Sequence, residues 1–205
     1  MIRIVDYGLG NVQAFVNVYK SLGIQALRAT NASELTGAHK IILPGVGSFD
    51  NAIYLLNQSG MRETLERLVI NENVPLLGVC VGMQILASKS DEGKLDGLGW
   101  IPGKVQSFCS HQKEIKNRAI PHMGWNDVKP NLDHPLFLGL ETQAKFYFLH
   151  SYFFEPINIS HVSAISCYDG EFACAVTSGH VHGVQFHPEK SHKYGTRLLK
   201  NFWEL

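Results

Sequence analysis

The sequence predicts an α/β fold with a mostly parallel central sheet, flanked by helices, and additional antiparallel strands in the C-terminal half. Three observations support this prediction. Strand-like and helix-like segments alternate through the first half, which is typical of a doubly wound sheet. The segment Pro75–Val79 is continuously apolar, as expected for a parallel strand covered on both faces. The second half contains strand-like segments joined by turns, which indicates antiparallel pairing.

The first half begins with an apolar strand, Ile2–Asp6, which ends at the turn Tyr7-Gly8-Leu9-Gly10. Asn11 is suited to cap the next helix, because its side chain can accept a backbone hydrogen bond. Apolar residues at helical spacing define the buried side of that helix: Val12, Phe15, Val16, Tyr19 and Leu22. The other predicted elements are strands Gln25–Ala29, Lys40–Leu43 and Pro75–Val79, and helices Asp50–Asn57, Met61–Asn71 and Val81–Ser88.

The second half contributes further strands and a closing helix. The predicted strands are Lys104–Phe108, Asn126–Lys129, Lys145–Leu149, His161–Cys167, Phe172–Thr177 and His180–Gln185. The helix covers Ser191–Trp203. Because no repeat, low-complexity tract or Pro/Gly linker interrupts the chain, residues 1–205 are predicted to form a single domain.

Composition excludes several classes of protein. The chain has 205 residues, of which 45% are hydrophobic, enough for a sizeable core and too many for a disordered segment. Eighteen Lys+Arg balance eighteen Asp+Glu, whereas a dedicated nucleic-acid binder would be basic. No apolar run approaches the roughly 18 residues of a membrane span, and the start resembles a strand rather than a signal peptide. We therefore expect a cytoplasmic protein without a nucleic-acid or membrane partner.

Cys80 lies in the motif Gly78-Val79-Cys80-Val81-Gly82, between a buried strand and a helix. This G-x-C-x-G pattern is that of a nucleophile elbow with cysteine in place of serine. Glycines allow the close backbone approach of a sharp turn, and the start of a helix favours the thiolate. A small buried cysteine in a tight turn would produce the same motif, so the motif alone does not decide between the two.

His187 and Glu189 follow a predicted strand and are two positions apart. Residues i and i+2 of an extended chain face the same side. His187 can therefore take a proton from Cys80 while Glu189 holds the other ring nitrogen. An isolated H-x-E pair is usually a surface pair, but together with the cysteine elbow it predicts an acyl-transfer triad.

The loop Pro44–Phe49 carries two glycines after a buried strand. Its backbone N–H groups could bind phosphate, supply an oxyanion donor together with the N–H of Val81, or belong to an ordinary turn. Gly8-x-Gly10 lacks the third glycine of a dinucleotide-binding loop. The strand positions of His180 and His182 point away from His187, so no metal and no cofactor are predicted.

Together these motifs resemble those of the class I (triad) glutamine amidotransferases. The resemblance runs from the first strand to the last helix and rests on Pro44–Gly47, Gly78–Gln84, Gly183–Glu189 and the order Cys, His, Glu. Three more segments resemble one branch of that family, the glutaminase subunits of imidazole glycerol phosphate synthases: Asp6–Asn11, Pro121–Asn126 and Tyr147–Tyr152. The resemblance implies the class I amidotransferase fold and an enzyme that hydrolyses L-glutamine to glutamate and ammonia.

The resemblance also implies roles for individual residues. Cys80 would be the nucleophile, His187 the base and Glu189 its orienter, with Gly47 and Val81 as oxyanion donors. The residues implied to line the glutamine pocket are Gln84, His150, Ser151 and Tyr152. Ammonia would pass within a heterodimer to a (β/α)₈ synthase subunit that makes imidazole glycerol phosphate and AICAR in histidine biosynthesis. The residues that match partner-facing positions are Asn11, Met123, Trp125, Tyr147 and Lys190.

Other functions remain open from the sequence. A paralogous amidotransferase subunit would supply ammonia for amidino groups on surface-polysaccharide sugars, and Gln13–Lys20 and Phe186–His192 resemble such copies. A free-standing cysteine hydrolase would share the triad but not the partner-facing motifs. A non-catalytic α/β scaffold with a redox-sensing cysteine would have no reason to keep the complete triad.

Overall fold

The computed structural model describes residues 1–111, 119–131, 133–142, 144–168 and 170–205. The strands are β1 (Ile2–Val5), β2 (Ala26–Ala29), β3 (Lys40–Gly45), β4 (Leu76–Cys80), β5 (Lys89–Ser90), β6 (Gly103–Ser107), β7 (His122–Asp127), β8 (Lys129–Pro130), β9 (Lys145–His150), β10 (Tyr152–Pro156), β11 (Val162–Cys167), β12 (Glu171–Ser178) and β13 (Val181–Val184). The helices are α1 (Val12–Ser21), α2 (Ala32–Leu35), α3 (Phe49–Gln58), α4 (Arg62–Glu66), α5 (Val81–Gln84), α6 (Phe108–His111) and α7 (His192–Glu204). A π-helical turn, Arg67–Asn71, extends α4.

The central sheet has the strand order β2-β1-β3-β4-β13-β12-β11-β8 in the described part of the chain. Strands β2, β1, β3, β4 and β13 pair in parallel. Strands β12, β11 and β8 continue the sheet in antiparallel pairs. The predicted α/β fold, with parallel strands first and antiparallel strands in the C-terminal half, is confirmed.

The parallel strands form the core of the domain. Every residue of β3, β4 and β13 is buried, which explains the continuous apolar run in β4. Helices α1 and α3 pack apolar faces against this sheet, with Phe15 and Phe49 fully covered. The carboxyl ends of β3 and β4 are therefore held rigidly beside each other.

A two-stranded antiparallel ribbon, β7–β9, lies beside the end of β13. Strand β9 is hydrogen-bonded to the segment that follows β13, because the N–H of His187 donates to the carbonyl of Tyr147 at 2.8 Å. The rings of Phe146 and Phe186 stack with centroids 4.1 Å apart. These contacts fix the position of the chain just after β13, where the predicted triad residues lie.

The helix predicted over Val81–Ser88 is wrong in length, because α5 ends at Gln84. A helix reaching Ser88 would need the N–H groups of residues 86–88 to donate to the carbonyls of residues 82–84. Instead the N–H groups of Leu86 and Ala87 donate three residues back, and that of Ser88 donates to the carbonyl of Gly103. The strand predicted over Asn126–Lys129 is also wrong, since it divides between β7 and β8 at the buried Val128. The short elements α2, β5, α6 and β10 were not predicted, because so few residues carry little periodicity.

Among the described residues, we find no helix with the length and apolar character that a membrane crossing requires.

Candidate active site

A cavity of about 290 Å³ opens at the carboxyl ends of β3 and β4, the edge at which open α/β sheets bind ligands. The residues that line it are Val46, Gly47, Cys80, Val81, Gln84, Glu92, Pro121, Leu149, His150, Ser151, Tyr152, His187 and Lys190. The predicted nucleophile, base, oxyanion donors and glutamine-pocket residues are thus all brought to one cavity. Glu189 stands directly behind His187.

Cys80 sits at a strained turn between β4 and α5, with φ +56° and ψ −114°. This left-handed backbone is costly for a residue with a side chain and is typical of functional turns. A Cβ atom at Gly78 would lie 2.6 Å from the carbonyl oxygen of Gly82, and one at Gly82 would lie 1.9 Å from the carbonyl oxygen of Leu43. The two glycines of the motif are therefore required by backbone approach, as the sequence predicts.

The side chains of Cys80 and His187 meet at the wall of the cavity, and Glu189 lies behind His187. Nδ1 of His187 and Oε1 of Glu189 are 2.9 Å apart, and both side chains are buried. The imidazole of His187 and the Cys80 thiol line the same cavity, where Sγ of Cys80 also lies 3.9 Å from the carbonyl oxygen of Leu149, to which it donates. The geometry places a nucleophile, a base and an orienting carboxylate in the order that acyl transfer needs.

Burial alone would lower the pKa of His187, but its neighbours reverse the effect. Hydrogen bonds to the side chains of Cys80 and Glu189, together with the negative charges of these groups, raise the pKa to about 10. At neutral pH His187 is therefore protonated, with its positive charge beside the sulfur of Cys80. The second oxygen of Glu189, Oε2, is buried without a hydrogen bond to any described residue. The negative charge of this carboxylate is therefore stabilised mainly by the positive charge of the His187 ring.

Gln185 is a buried neighbour of the nucleophile that sequence reasoning missed. Its Nε2 donates to Sγ of Cys80 at 3.8 Å, while its Oε1 accepts from Nε2 of Gln84 at 3.1 Å. The second contact fixes the amide orientation, so that its N–H groups face the sulfur. The signal that could have found Gln185 is the strand alternation, because it lies two positions before His187.

His150 forms a neutral wall of the cavity. Its Nδ1 lies 2.8 Å from the carbonyl of Tyr152, and a carbonyl can only accept, so this nitrogen carries the proton. Its Nε2 must then accept from Nδ1 of His122, 2.9 Å away. Burial, with the nearby His122 and His187, lowers the pKa of His150 to about 3.

Two buried histidines make the fold sensitive to acid. Burial lowers the pKa of both His150 and His182 to about 3, below the ordinary value near 6.5. Between pH 6.5 and pH 3 these histidines are protonated in the unfolded chain but neutral in the folded one. The free energy of unfolding therefore decreases as the pH falls from about 6.5 toward 3. Each histidine contributes a slope of up to ~1.4 kcal/mol per pH unit. The raised pKa of His187 has the opposite sign, and its contribution is lost only as the pH rises toward 10.

We expect the free energy of unfolding to fall by up to about 3 kcal/mol per pH unit between pH 6 and pH 4, because His150 and His182 both bind protons in the unfolded chain. Urea titrations across this range would measure it, and His182→Gln should remove about half of the slope. An unfolding free energy that stays constant from pH 6 to pH 4 would contradict this assignment.

The candidate oxyanion donors flank Cys80. Gly47 follows β3 with φ +86°, and Val81 is the first residue of α5. The loop that carries Gly47 lies directly against the elbow, since a Cβ atom at Gly45 would be 2.5 Å from the backbone nitrogen of Gly82. Backbone N–H groups from two different elements therefore border the same part of the cavity.

Glu92 is a second residue that sequence reasoning missed. It follows β5 and brings a carboxylate to the cavity wall. Its Oε2 accepts the backbone N–H of Phe49 at 2.8 Å. No motif marks this position, because only the docking of two loops that are distant in the sequence brings it to the site.

Four of the predicted partner-facing residues lie on the ribbon or next to it. Met123 and Trp125 are 65% and 48% exposed, which is unusual for large apolar side chains. The Trp125 and Tyr147 rings are 6.2 Å apart, and Nζ of Lys190 lies 5.7 Å from the Tyr147 ring. We call this surface the ribbon face: Met123, Trp125, Tyr147, Lys190 and His192, whose ring stacks on Trp125. The fifth predicted residue, Asn11, caps α1 by accepting the N–H of Ala14 at 3.1 Å.

The chain was compared with known proteins. Residues 3–205 match the family described as glutamine amidotransferase class-I. The chain is 60% identical to the imidazole glycerol phosphate synthase subunit HisH of Bdellovibrio bacteriovorus, with all of both chains covered. It is 48% identical to the protein of that name in Leptospira borgpetersenii, also over both full lengths. It is 42% identical, again over both full lengths, to imidazole glycerol phosphate synthase subunit HisH 2 of Pseudomonas aeruginosa.

Solved structures share the fold. A crystal structure of glutamine amidotransferase superposes with a TM-score of 0.73 at 20% identity, and 99% of this chain and 97% of that chain are covered. The structure of PurLQS from Thermotoga maritima superposes with a TM-score of 0.72 at 17% identity, with the same coverage. The family match and the full-length identities show that the chain belongs to the class I glutamine amidotransferases, in the group of imidazole glycerol phosphate synthase HisH subunits.

Proposed function

We propose that the chain is a glutaminase subunit that hydrolyses L-glutamine to glutamate and ammonia and delivers the ammonia to a (β/α)₈ synthase subunit of histidine biosynthesis. The observation that carries the chemistry is the placement of Cys80 and His187 at the wall of one cavity, with Glu189 hydrogen-bonded to the His187 ring. The names of the full-length relatives support the acceptor pathway. We place the reaction in the cytoplasm, because a subunit that feeds a biosynthetic enzyme works where that enzyme works.

Glutamine binding can be assigned from the hydrogen-bonding capacity of the lining residues. Gln84 uses both hydrogens of its Nε2, one on the carbonyl of Tyr152 and one on Gln185. It therefore offers the substrate its Oε1, which is an acceptor. Glu92 adds a carboxylate. Both groups suit the α-ammonium of glutamine, which leaves the carboxamide to face Cys80.

In the first half of the proposed reaction, glutamine acylates Cys80. The Cys80 thiolate attacks the carboxamide carbon, and the developing oxyanion accepts hydrogen bonds from the N–H groups of Gly47 and Val81. The imidazolium of His187 gives its proton to the amide nitrogen, so that ammonia leaves and a thioester remains. Water, deprotonated by His187, attacks the thioester and releases glutamate. Glu189 holds the imidazole throughout.

The ribbon face is the surface we assign to the synthase subunit. Lys190 belongs to it and also lines the cavity, while Leu149 lines the cavity and is partly exposed. A partner that covers this face therefore lies next to the site at which ammonia is released. Trp, Tyr and Met are the residue types that anchor protein interfaces.

Coupling to the partner is a testable consequence. We expect the isolated chain to have very low glutaminase activity, because hydrolysis without an acceptor wastes glutamine. Peptide rotation in the loop Gly45–Gly47 can add or remove one oxyanion donor, which is worth about 10²–10³ in rate. Glutamate release should rise by that factor when a histidine-pathway synthase and its nucleotide acceptor are added. Full activity of the isolated chain would contradict coupling.

The same assay decides between acceptor pathways. The sequence segments that resemble surface-polysaccharide copies make a synthase of amidino sugars the second candidate partner. If only that partner raises glutamate release, the glutaminase chemistry stands and the pathway is reassigned.

The Trp125→Ala variant tests the assigned interface. Loss of a central aromatic anchor costs about 2 kcal/mol or more of binding free energy, which is ~30-fold in Kd. Titration of the synthase into the variant would measure this loss. Ile157→Ala is the matched control, because Ile157 is exposed but lies outside the ribbon face. Equal affinity of the Trp125 variant and the control would place the interface elsewhere.

A further inference from the structure

Helix α3 begins directly after the loop that carries Gly47, and its first N–H groups are satisfied in an unusual way. The N-cap residue, Ser48, makes no side-chain cap hydrogen bond. Glu92 acts in its place from a distant loop, because its Oε2 accepts the N–H of Phe49 at 2.8 Å. A carboxylate at this end of a helix is also favoured by the helix dipole.

Asp50, the second residue of α3, makes a further contact with the loop that carries Glu92. The carboxylate of Asp50 accepts the N–H of Lys94 at 2.9 and 3.1 Å, and that of Leu95 at 3.0 Å. Between Glu92 and Lys94, a Cβ atom at Gly93 would lie 1.9 Å from Oδ1 of Asp50. Any side chain at position 93 would therefore force the carboxylate of Asp50 to move.

Residues 48–50 and 92–95 therefore hold each other through two carboxylates, one from each loop. We call this arrangement the carboxylate clasp: Phe49, Asp50, Glu92, Gly93, Lys94 and Leu95. One loop carries a candidate oxyanion donor, Gly47, and the other carries the cavity carboxylate of Glu92. Asp50 itself is absent from the described lining of the cavity, so it can affect the reaction only through its partners.

We propose that Asp50 is a positioning residue of the glutaminase reaction, which holds Glu92 and the Gly47 loop in fixed relative positions through the carboxylate clasp. This inference rests on the proposed function. Glu92 acts in binding the substrate, and the Gly47 N–H acts in stabilising the transition state. A residue that joins the two loops should therefore influence both KM and kcat.

A carboxylate suits position 50 better than a neutral side chain does. Its two oxygens accept from two successive backbone N–H groups, and hydrogen bonds to a charged acceptor are stronger than neutral ones. An asparagine with its oxygen at the Oδ1 position still accepts from Lys94 and Leu95, but it lacks the charge and turns an N–H₂ group toward the N–H of Lys94. Alanine removes both acceptors. The series Asp, Asn, Ala should therefore weaken the clasp in two steps.

The test uses the chain in complex with the synthase that activates it. We expect Asp50→Ala to raise KM for glutamine and to lower kcat, with a total loss of about 10- to 100-fold in kcat/KM. Asp50→Asn, which is nearly isosteric and keeps the fold, should lie between. Gly93→Ala should reproduce the effect from the other loop, since its methyl group pushes the carboxylate away. Asp96→Ala, in the same exposed loop, is the matched control and should be unchanged.

Two alkylating reagents separate positioning from general damage to the structure. Iodoacetamide is small and does not need the glutamine pocket, so the rate at which it alkylates Cys80 should be equal in wild type and Asp50→Ala. The label at Cys80 is followed by peptide mass spectrometry, because Cys109 and Cys167 are also free and exposed. A glutamine-shaped diazo-ketone needs Glu92 and the oxyanion donors, so its rate should fall with kcat/KM. An equal loss with both reagents, or wild-type kinetics in Asp50→Ala, would overturn the inference. Failure of the wild-type complex to hydrolyse glutamine would instead overturn the proposed function.

Discussion

The Cys80→Ser variant is expected to lose glutamine hydrolysis by at least ~10⁴-fold. A serine hydroxyl is not ionised by the neighbouring His187 to the extent that a thiol is, so the attacking anion is missing. The fold should persist, because the exchange is nearly isosteric and leaves the glycines at positions 78 and 82 unchanged. Glutamate release in the presence of the activating synthase is the measurement.

Free ammonia provides the control for this variant. The synthase subunit should still make its product when ammonium salt is added, because the variant removes only the source of ammonia. Wild-type-like glutamine hydrolysis by Cys80→Ser would contradict the mechanism. Failure with added ammonia as well would show that the variant disturbs the complex rather than the chemistry.

The His187→Asn variant is expected to show the second largest loss, about 10²–10⁴-fold in kcat/KM. Asparagine can neither take the proton from Cys80 nor deliver one to the leaving amide nitrogen. Because His187 holds its proton up to a pKa of about 10, its replacement also removes the positive charge beside the sulfur. Alkylation of the variant by iodoacetamide should therefore require a higher pH than alkylation of the wild type.

Two other variants test the role assigned to His187: one with a smaller expected loss and one control. Glu189→Gln should cost less than His187→Asn, since an amide can still orient the ring although it lacks the charge. His182→Gln is the matched control, because His182 lies in the core of the sheet and bonds Thr177 at 3.1 Å, away from the cavity. A loss for His182→Gln that equals that of His187→Asn would mean that the wrong histidine has been assigned.

The sequence by itself determined the features that depend on neighbouring residues. The change from parallel to antiparallel strands could be predicted because burial on both faces, as in β4, produces a continuous apolar run. The elbow could be predicted because backbone approach at Gly78 and Gly82 excludes any Cβ atom. The pairing of His187 with Glu189 followed from their spacing of two in the sequence.

Only the tertiary structure decided which groups from distant loops share the cavity. Gln185 contacts the sulfur of Cys80, and Glu92 reaches the cavity wall through its contact with α3. The end of α5 was likewise decided by a distant residue, because the N–H of Ser88 donates to the carbonyl of Gly103 rather than to that of Gln84. In each case the hydrogen-bonding partner lies far away in the sequence. Local periodicity contains no information about it, because the energy that selects it comes from docking two loops together.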